Sequence, residues 1–188
     1  MEEIEVKFLK VKKEDIIKNL EGLGAEKIGD FLFKRKSYDF PDYRLAEKDA
    51  WVRIRDEGER TVMTYKQRLR GDELGYDKGM LEQEIVISDF VIGDNILKSI
   101  GMIEKFYEEN ERVLYVLDDV EVCIDTWPLL DTYVELEGSS WESLQKVADK
   151  LGFNWESHKK CSTMQVYKME GIDENDFSVL TFETQIKK

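Results

Sequence analysis

Met1-Glu2-Glu3-Ile4-Glu5-Val6-Lys7-Phe8 is the stretch that decides the fold, because charged and apolar side chains alternate along it. Successive side chains of a β-strand point to opposite faces. Glu3, Glu5 and Lys7 would therefore lie on one face of a strand, with the apolar residues between them on the other. An ordered set of carboxylates and an ammonium group on one face indicates that this face does more than contact solvent.

The same alternation recurs in residues 51–55, 82–85 and 133–137. In each of these stretches, charges of one sign occupy alternate positions. Any one such strand is usually a solvated face of a sheet. The whole set, with apolar side chains on the opposite face each time, favours a curved or closed sheet whose interior is charged.

The composition is typical of an ordered, acidic protein. The 188 residues are 41% hydrophobic and 11% aromatic, which suits one folded domain with a sizeable core. The charged share of 37% and the net charge of -13 argue against a nucleic acid or an anionic membrane as partner. The two cysteines have no metal spacing and provide no disulfide framework. Without a long apolar run or a signal-peptide pattern, we expect a cytoplasmic protein.

Helical and extended patterns follow one another without an internal repeat, which predicts a single α+β domain. Three amphipathic helices are predicted to cover the apolar faces of the strands, over residues 13–24, 90–101 and 141–152. Ser88-Asp89 and Ser139-Ser140 supply cap residues for the second and third helices. Residues 70–79 are predicted to form a loop, and residues 171–188 a polar tail that docks on the domain formed by residues 1–170.

Sorting the strand residues by parity predicts which charges share the interior. Seven acids and five bases would lie there: Glu3, Glu5, Glu82, Glu84, Asp125, Glu135 and Glu137, with Lys7, Arg53, Arg55, Lys66 and Arg112. So many unpaired buried charges would cost too much free energy, so they must be hydrated, paired or bound to ligands. Carboxylates suit Mg²⁺ or Mn²⁺, and arginine and lysine suit phosphate oxygens. The pattern therefore predicts a polyphosphate site with a divalent metal.

These residues resemble the CYTH superfamily, the triphosphate tunnel metalloenzymes. Glu3-Ile4-Glu5-Val6-Lys7 is similar to the E-x-E-x-K signature of that family. The similarity continues in order along the chain and covers residues 1–170, through residues 51–55, 64–66, 82–84, Lys105 with Arg112, Asp125 and 135–137. The resemblance implies an eight-stranded antiparallel β-barrel, or tunnel, covered by helices, whose basic residues hold a triphosphate and whose acids bind metal.

The resemblance also implies a role for each matching residue. The phosphates are assigned to Lys7, Arg53, Arg55, Lys66, Arg112 and Lys160, the last chosen over Lys159. One metal is assigned to Asp125, Glu135 and Glu137, and a second, which activates water in hydrolytic members, to Glu3 and Glu5. Glu82 and Glu84 would complete the acidic lining. Glu3, Glu5 and Lys66 are thus the catalytic candidates.

Family members divide between hydrolysis of a triphosphate and cyclisation of ATP, and the same charged residues support both reactions. The resemblance favours a metal-dependent hydrolase of tripolyphosphate or of an organic triphosphate such as thiamine triphosphate. The alternatives are a class IV-type adenylyl cyclase and a non-catalytic module that binds polyphosphate or nucleotide. The partner is a small molecule in each case. Dimers are common in the family, but the sequence does not fix the oligomeric state.

Trp51 is the one residue that indicates an organic part of the substrate. It shares a strand face with Arg53 and Arg55, so its ring can stack on a heteroaromatic group beside the phosphates. It resembles a tryptophan found at this place in thiamine triphosphatases. The alternative is that Trp51 only packs at the rim of the barrel.

Overall fold

The computed structural model describes residues 4–69 and 79–188. Its strands are β1 (Ile4–Phe8), β2 (Glu26–Asp39), β3 (Ala50–Asp56), β4 (Thr61–Arg68), β5 (Met80–Ile87), β6 (Ile103–Leu117), β7 (Val120–Thr126), β8 (Tyr133–Gly138), β9 (Phe177–Leu180) and β10 (Gln185–Lys187). Its α-helices are α1 (Lys13–Gly22), α2 (Phe90–Ser99), α3 (Trp141–Lys150) and α4 (Thr163–Met169). Short 3₁₀ helices span Ala46–Lys48, Trp155–Ser157 and Glu174–Asp176. The predicted loop over residues 70–79 lies almost wholly outside the described residues.

The main strands form one sheet in the order β1-β8-β7-β6-β2-β3-β4-β5. Antiparallel ladders join β8 to β1 and β7, β3 to β2 and β4, β4 to β5, and β6 to β7. The predicted α+β class, with eight main antiparallel strands and covering helices, is therefore confirmed. Within the described ranges, hydrogen bonds do not close the sheet, whose order ends at β1 and β5. The helices of these ranges are all too short or too polar to cross a membrane.

The chain divides into two compact units. The first comprises Met1–Leu32 and Asn110–Asn175, and the second comprises Phe33–Glu109 and Asp176–Lys188. The long strands β2 and β6 contribute a part to each unit. Each unit has its own core and its own charged face.

The first unit buries the apolar faces of its strands beneath helices. Val6 and Leu136 are fully buried in one core cluster with Leu20 of α1 and Leu144 of α3. Ser140 caps α3, since its hydroxyl oxygen accepts a hydrogen bond of 3.1 Å from Ser143 N. The sequence predicted a cap here, but α4, a helix of seven residues that begins with a capping box at Ser162, was not predicted.

The second unit packs α2 closely on its strands. Asp89 caps the helix as predicted and accepts a hydrogen bond of 2.7 Å from Ile92 N. Leu97 of α2 packs with Ile54 and Tyr38 in a small core. Gly93 permits this close approach, because a Cβ at that position would lie 2.5 Å from Ile87 Cδ1. The helix thereby covers the apolar face of β3 and β4 and leaves their other face to charged residues.

The end of the chain forms a hairpin in the second unit. Strands β9 and β10 pair with each other, and β9 also pairs in parallel with β6. Phe177 and Leu180 are buried, which explains the apolar residues seen in an otherwise polar tail.

Candidate active site

The first unit gathers its predicted charges on one face. Lys7 lies directly opposite Glu135 in the β1–β8 ladder, and Glu5 lies opposite Glu137. Residues paired in this way have side chains on the same face of a sheet. In the β6–β7 ladder Arg112 lies opposite Asp125, which places this pair beside the same strand β8. Glu3, predicted for this face, lies outside the described residues.

Lys7 is the most deeply buried cation of this face, with an exposed fraction of 3%. Its ammonium group forms an ion pair with Glu135 and another of 2.9 Å with Glu5. Burial lowers the pKa of Lys7, but the charges of Glu135 and Glu5 more than offset this and leave the pKa raised. Lys7 is therefore held charged, with its charge compensated by carboxylates.

Arg112 is compensated in the same way. Its Nε and Nη2 donate hydrogen bonds of 2.7 and 2.6 Å to the two oxygens of Asp125, and Nη2 donates a third of 3.2 Å to Glu135. This forked geometry is the strongest that arginine makes with a carboxylate. Burial raises the pKa of Glu135, but Lys7 and Arg112 outweigh it, so the pKa of Glu135 is lowered. The lowered pKa of Glu135 keeps this carboxyl group charged.

The carboxylates of this face are the right kind of ligand for a divalent metal. Asp125, Glu135 and Glu137 supply hard oxygen atoms from neighbouring strands, as Mg²⁺ and Mn²⁺ prefer. Over residues 4–69 and 79–188, however, these carboxylates do not come together as a group of three ligands. Arg112 and Lys7 hold the oxygens of Asp125 and Glu135. A metal would have to take the place of these cations or share the carboxylates with them.

The structure favours Lys159 over Lys160 as the last lysine of this face. Lys159 and Lys7 form an isolated antiparallel bridge with reciprocal hydrogen bonds of 2.9 Å, which places both side chains on the same face. The Nζ of Lys160 lies 3.8 Å from the centre of the Trp141 ring, at the start of α3. Lys159 therefore lies on the face of Lys7, whereas the ammonium group of Lys160 contacts Trp141, and the phosphate role stays a prediction.

The second unit carries a row of arginines on its charged face. Arg35 of β2 lies directly opposite Arg55 of β3, and Arg53 lies opposite Ser37 and Thr64. Like charges opposite one another destabilise a sheet. Arg35, which was not among the predicted site residues, belongs to this face, and the parity of residues 35, 37 and 39 in the predicted second strand could have revealed it.

Arg53 lies at the centre of this row. Its buried Nε has no hydrogen-bond acceptor among the described residues, and the same is true of the Nε of Arg55. Burial, together with the positive charges of Arg55 and Arg35, lowers the pKa of Arg53 to about 10. Arg55 does form an ion pair with Glu57. The row thus presents buried donors with more positive than negative charge close by.

Lys66, Glu82 and Glu84 extend the same face. Lys66 Nζ donates a hydrogen bond of 2.6 Å to Glu82, and the hydroxyl group of Thr64 donates one of 2.9 Å to Glu84. Burial and the charge of Arg53 lower the pKa of Lys66. Trp51, only partly buried, lies opposite Lys66 in the ladder, on the face where the sequence placed it.

The chain matches the model of the CYTH domain family over residues 1–175. No curated protein matches it. A conserved hypothetical protein from Pyrococcus furiosus is similar in structure, with a TM-score of 0.65 and 21% identity over 88% of this chain and 99% of that one. A suggested adenylate cyclase from Vibrio parahaemolyticus has a TM-score of 0.67 and 12% identity, over 88% and 97% of the two chains. A suggested adenylyl cyclase from Hippeastrum, described with a dominant triphosphatase activity, has a TM-score of 0.60 and 14% identity over 93% and 98%.

Proposed function

Because this chain belongs to the CYTH domain family, we propose that it is a divalent-metal-dependent hydrolase of triphosphates. The leading substrates are inorganic tripolyphosphate and an organic triphosphate such as thiamine triphosphate. The observation that carries the proposal is the arginine row of the second unit, where the buried Nε groups of Arg53 and Arg55 lack acceptors among the described residues. Buried donors of this kind are stabilised by an anion that accepts their hydrogen bonds.

The arginine row would bind the phosphate chain. Phosphate oxygens would accept hydrogen bonds from Arg53 and Arg55, with Lys66 as a further positive charge on the same face. Arginine suits this role because its planar guanidinium group binds phosphate in a forked geometry and keeps its charge. Neutralising the charge that develops on the phosphoryl oxygens is the main contribution expected of the protein in phosphoryl transfer.

The first unit would hold the divalent metal through Asp125, Glu135 and Glu137, with Glu5 assigned to a second ion. When bound, the metal supplies positive charge to the phosphate oxygens and lowers the pKa of a coordinated water molecule. Lys7 and Arg112 would compensate the charge of these carboxylates, with which they are paired, and would thereby orient the oxygens that hold the ion.

The reaction adds one water molecule to tripolyphosphate and yields pyrophosphate and orthophosphate. The test is to measure orthophosphate release from tripolyphosphate, thiamine triphosphate and ATP in the presence of Mg²⁺, Mn²⁺ or a chelator. The proposal predicts turnover of at least one triphosphate that the chelator abolishes. Absence of phosphate release from all three substrates with both metals would rule it out.

Adenylyl cyclase is the second candidate, since similar structures are described as suggested cyclases and the partly exposed Trp51 lies on the same strand face as Arg53. Cyclisation breaks the bond between the α- and β-phosphates of ATP, so the products are cyclic AMP and pyrophosphate. The same reactions with ATP and Mn²⁺, analysed for cyclic AMP, distinguish the two enzymes. A non-catalytic binding module would bind tripolyphosphate in calorimetry and release no product.

A further inference from the structure

The terminal hairpin β9–β10 lies beyond residues 1–175, the part that matches the family model. It is nevertheless joined to the second unit by backbone pairing, with Tyr107 opposite Val179 and Glu108 opposite Leu180 in a parallel ladder. The backbone N–H of Phe182 also donates a hydrogen bond of 2.8 Å to Glu109 Oε1. These contacts fix the register of the hairpin on β6 at Glu108 and Glu109.

Glu108 faces the arginine row. Its Oε1 lies 3.7 Å from Nη1 of Arg35, and both side chains are largely buried. Its register partner Leu180 is fully buried, so the hairpin places an apolar side chain beside the carboxylate. No role was predicted for Glu108 from the sequence, and the proposed hydrolysis does not use it.

We propose that Glu108 is an internal competitor for phosphate, held against Arg35 and close to Arg53 by the terminal hairpin. This inference rests on the proposed function, because it assumes that phosphate binds to the arginine row. The carboxylate supplies the row with a negative charge when phosphate is absent. An incoming phosphate chain must bind against that charge, so Glu108 lowers the affinity of the row and favours release of the product.

The pH dependence follows from the groups around Glu108. Arg35 faces it from β2, the charge of Arg53 acts from β3, and β9 contributes the uncharged Leu180. Burial raises the pKa of Glu108 above its ordinary value, although the two arginines oppose the rise. Lowering the pH therefore protonates Glu108 earlier than an exposed glutamate, and the neutral carboxyl group ceases to compete.

The experiment measures the Kd of inorganic tripolyphosphate and of pyrophosphate by calorimetry, without metal, for the full chain and for Glu108→Gln. At pH 8 the variant should bind both about tenfold more tightly, since it removes a like charge from the site. For each ligand, the ratio of the Kd of the parent to the Kd of the variant should approach one as the pH falls. Protonation of the ligand affects both proteins equally and therefore cancels in this ratio. In steady-state assays KM should fall while kcat stays level or decreases.

Two further variants separate the possible outcomes. Glu59→Gln, an exposed residue of the same unit, removes the same formal charge and should leave Kd unchanged. Arg53→Ala should abolish tight binding. If Arg53→Ala binds as the parent does, the proposed phosphate site itself is wrong. If Arg53→Ala loses binding but Glu108→Gln matches the parent at every pH, only the competitor role is overturned.

Discussion

The charged faces of the two units differ in how their charges are compensated. In the first unit, Lys7 and Arg112 each contact carboxylates directly, and the pKa of each cation is raised. In the second unit, burial and the positive charges of Arg55 and Arg35 lower the pKa of Arg53 to about 10. Both faces come from the same alternation of charged and apolar residues, so the alternation alone does not determine their electrostatics.

We propose that the two charged faces have different roles, one in binding phosphate and the other in binding metal. A face whose buried arginine Nε groups lack acceptors among the described residues is ready to bind an anion before the anion arrives. A face with paired charges needs a second species to separate the pairs, and a divalent metal that binds the carboxylates would do so. We therefore expect the second unit to set affinity for phosphate, and the first unit to make activity depend on metal.

The largest expected effect is that of Arg53→Ala, which removes the centre of the cationic face. We expect kcat/KM for the best triphosphate to fall by about 10²–10³-fold, as for loss of one preorganised donor to a transition-state anion. Arg44→Ala, which removes an exposed cation of the same unit, is the control and should retain near-normal kcat/KM. Near-normal activity of Arg53→Ala would contradict the division between the two faces.

The first unit should instead respond to mutation through stability. Glu135→Gln leaves the buried ammonium group of Lys7 without its main partner, so the free energy of unfolding should fall by about 3 kcal/mol in urea titrations. In the double variant Lys7→Met/Glu135→Met both charges are removed, and most of this loss should be recovered. Equal losses in the single and double variants would show that the pair does not compensate Lys7.

Much of both faces could be predicted from strand parity. The period of two assigned Lys7, Glu135, Arg53 and Lys66 to the charged faces of their strands, where the strand pairing also places them, because burial of the apolar residues between them fixes each strand's orientation. Which oppositely charged groups meet could not be predicted, because pairing depends on register between strands far apart in sequence. Glu108 was missed for that reason, and the choice between Lys159 and Lys160 likewise depends on a single bridge to β1, whereas Arg35 could have been found from parity alone.

The second unit also contains a cluster of compensated charges around Asp94. Asp94 is a buried residue of α2, and Lys36, Lys98 and Tyr38 donate hydrogen bonds of 2.8–2.9 Å to it. Burial raises its pKa, but these bonds outweigh burial and leave the pKa of Asp94 lowered. A lowered carboxyl pKa contributes stability that is complete above the pKa of the unfolded chain, about 3.9, and is lost as the pH falls through the folded value.

The pH dependence of unfolding therefore tests this cluster. In thermal denaturation, the parent should lose stability as the pH falls below about 4. Asp94→Asn should be less stable at neutral pH by about 1–2 kcal/mol, with a smaller further loss in acid, because its side chain does not titrate. Parallel pH profiles for the two proteins would show that the lysines do not stabilise the charged form of Asp94.

The smallest expected effect comes from a comparison in which one cation is removed from each face. In the first unit, the single variant Lys7→Met leaves Glu135 buried beside Arg112 alone and should destabilise the protein. In the second unit, Lys66→Met removes a partly buried ammonium group whose pKa the charge of Arg53 helps to lower. The loss of its contact with the more exposed Glu82 is then largely offset by relief of repulsion, so the free energy of unfolding should change by less than about 1 kcal/mol. A larger loss for Lys66→Met than for Lys7→Met, measured in the same urea titrations, would contradict the difference in charge compensation between the two faces.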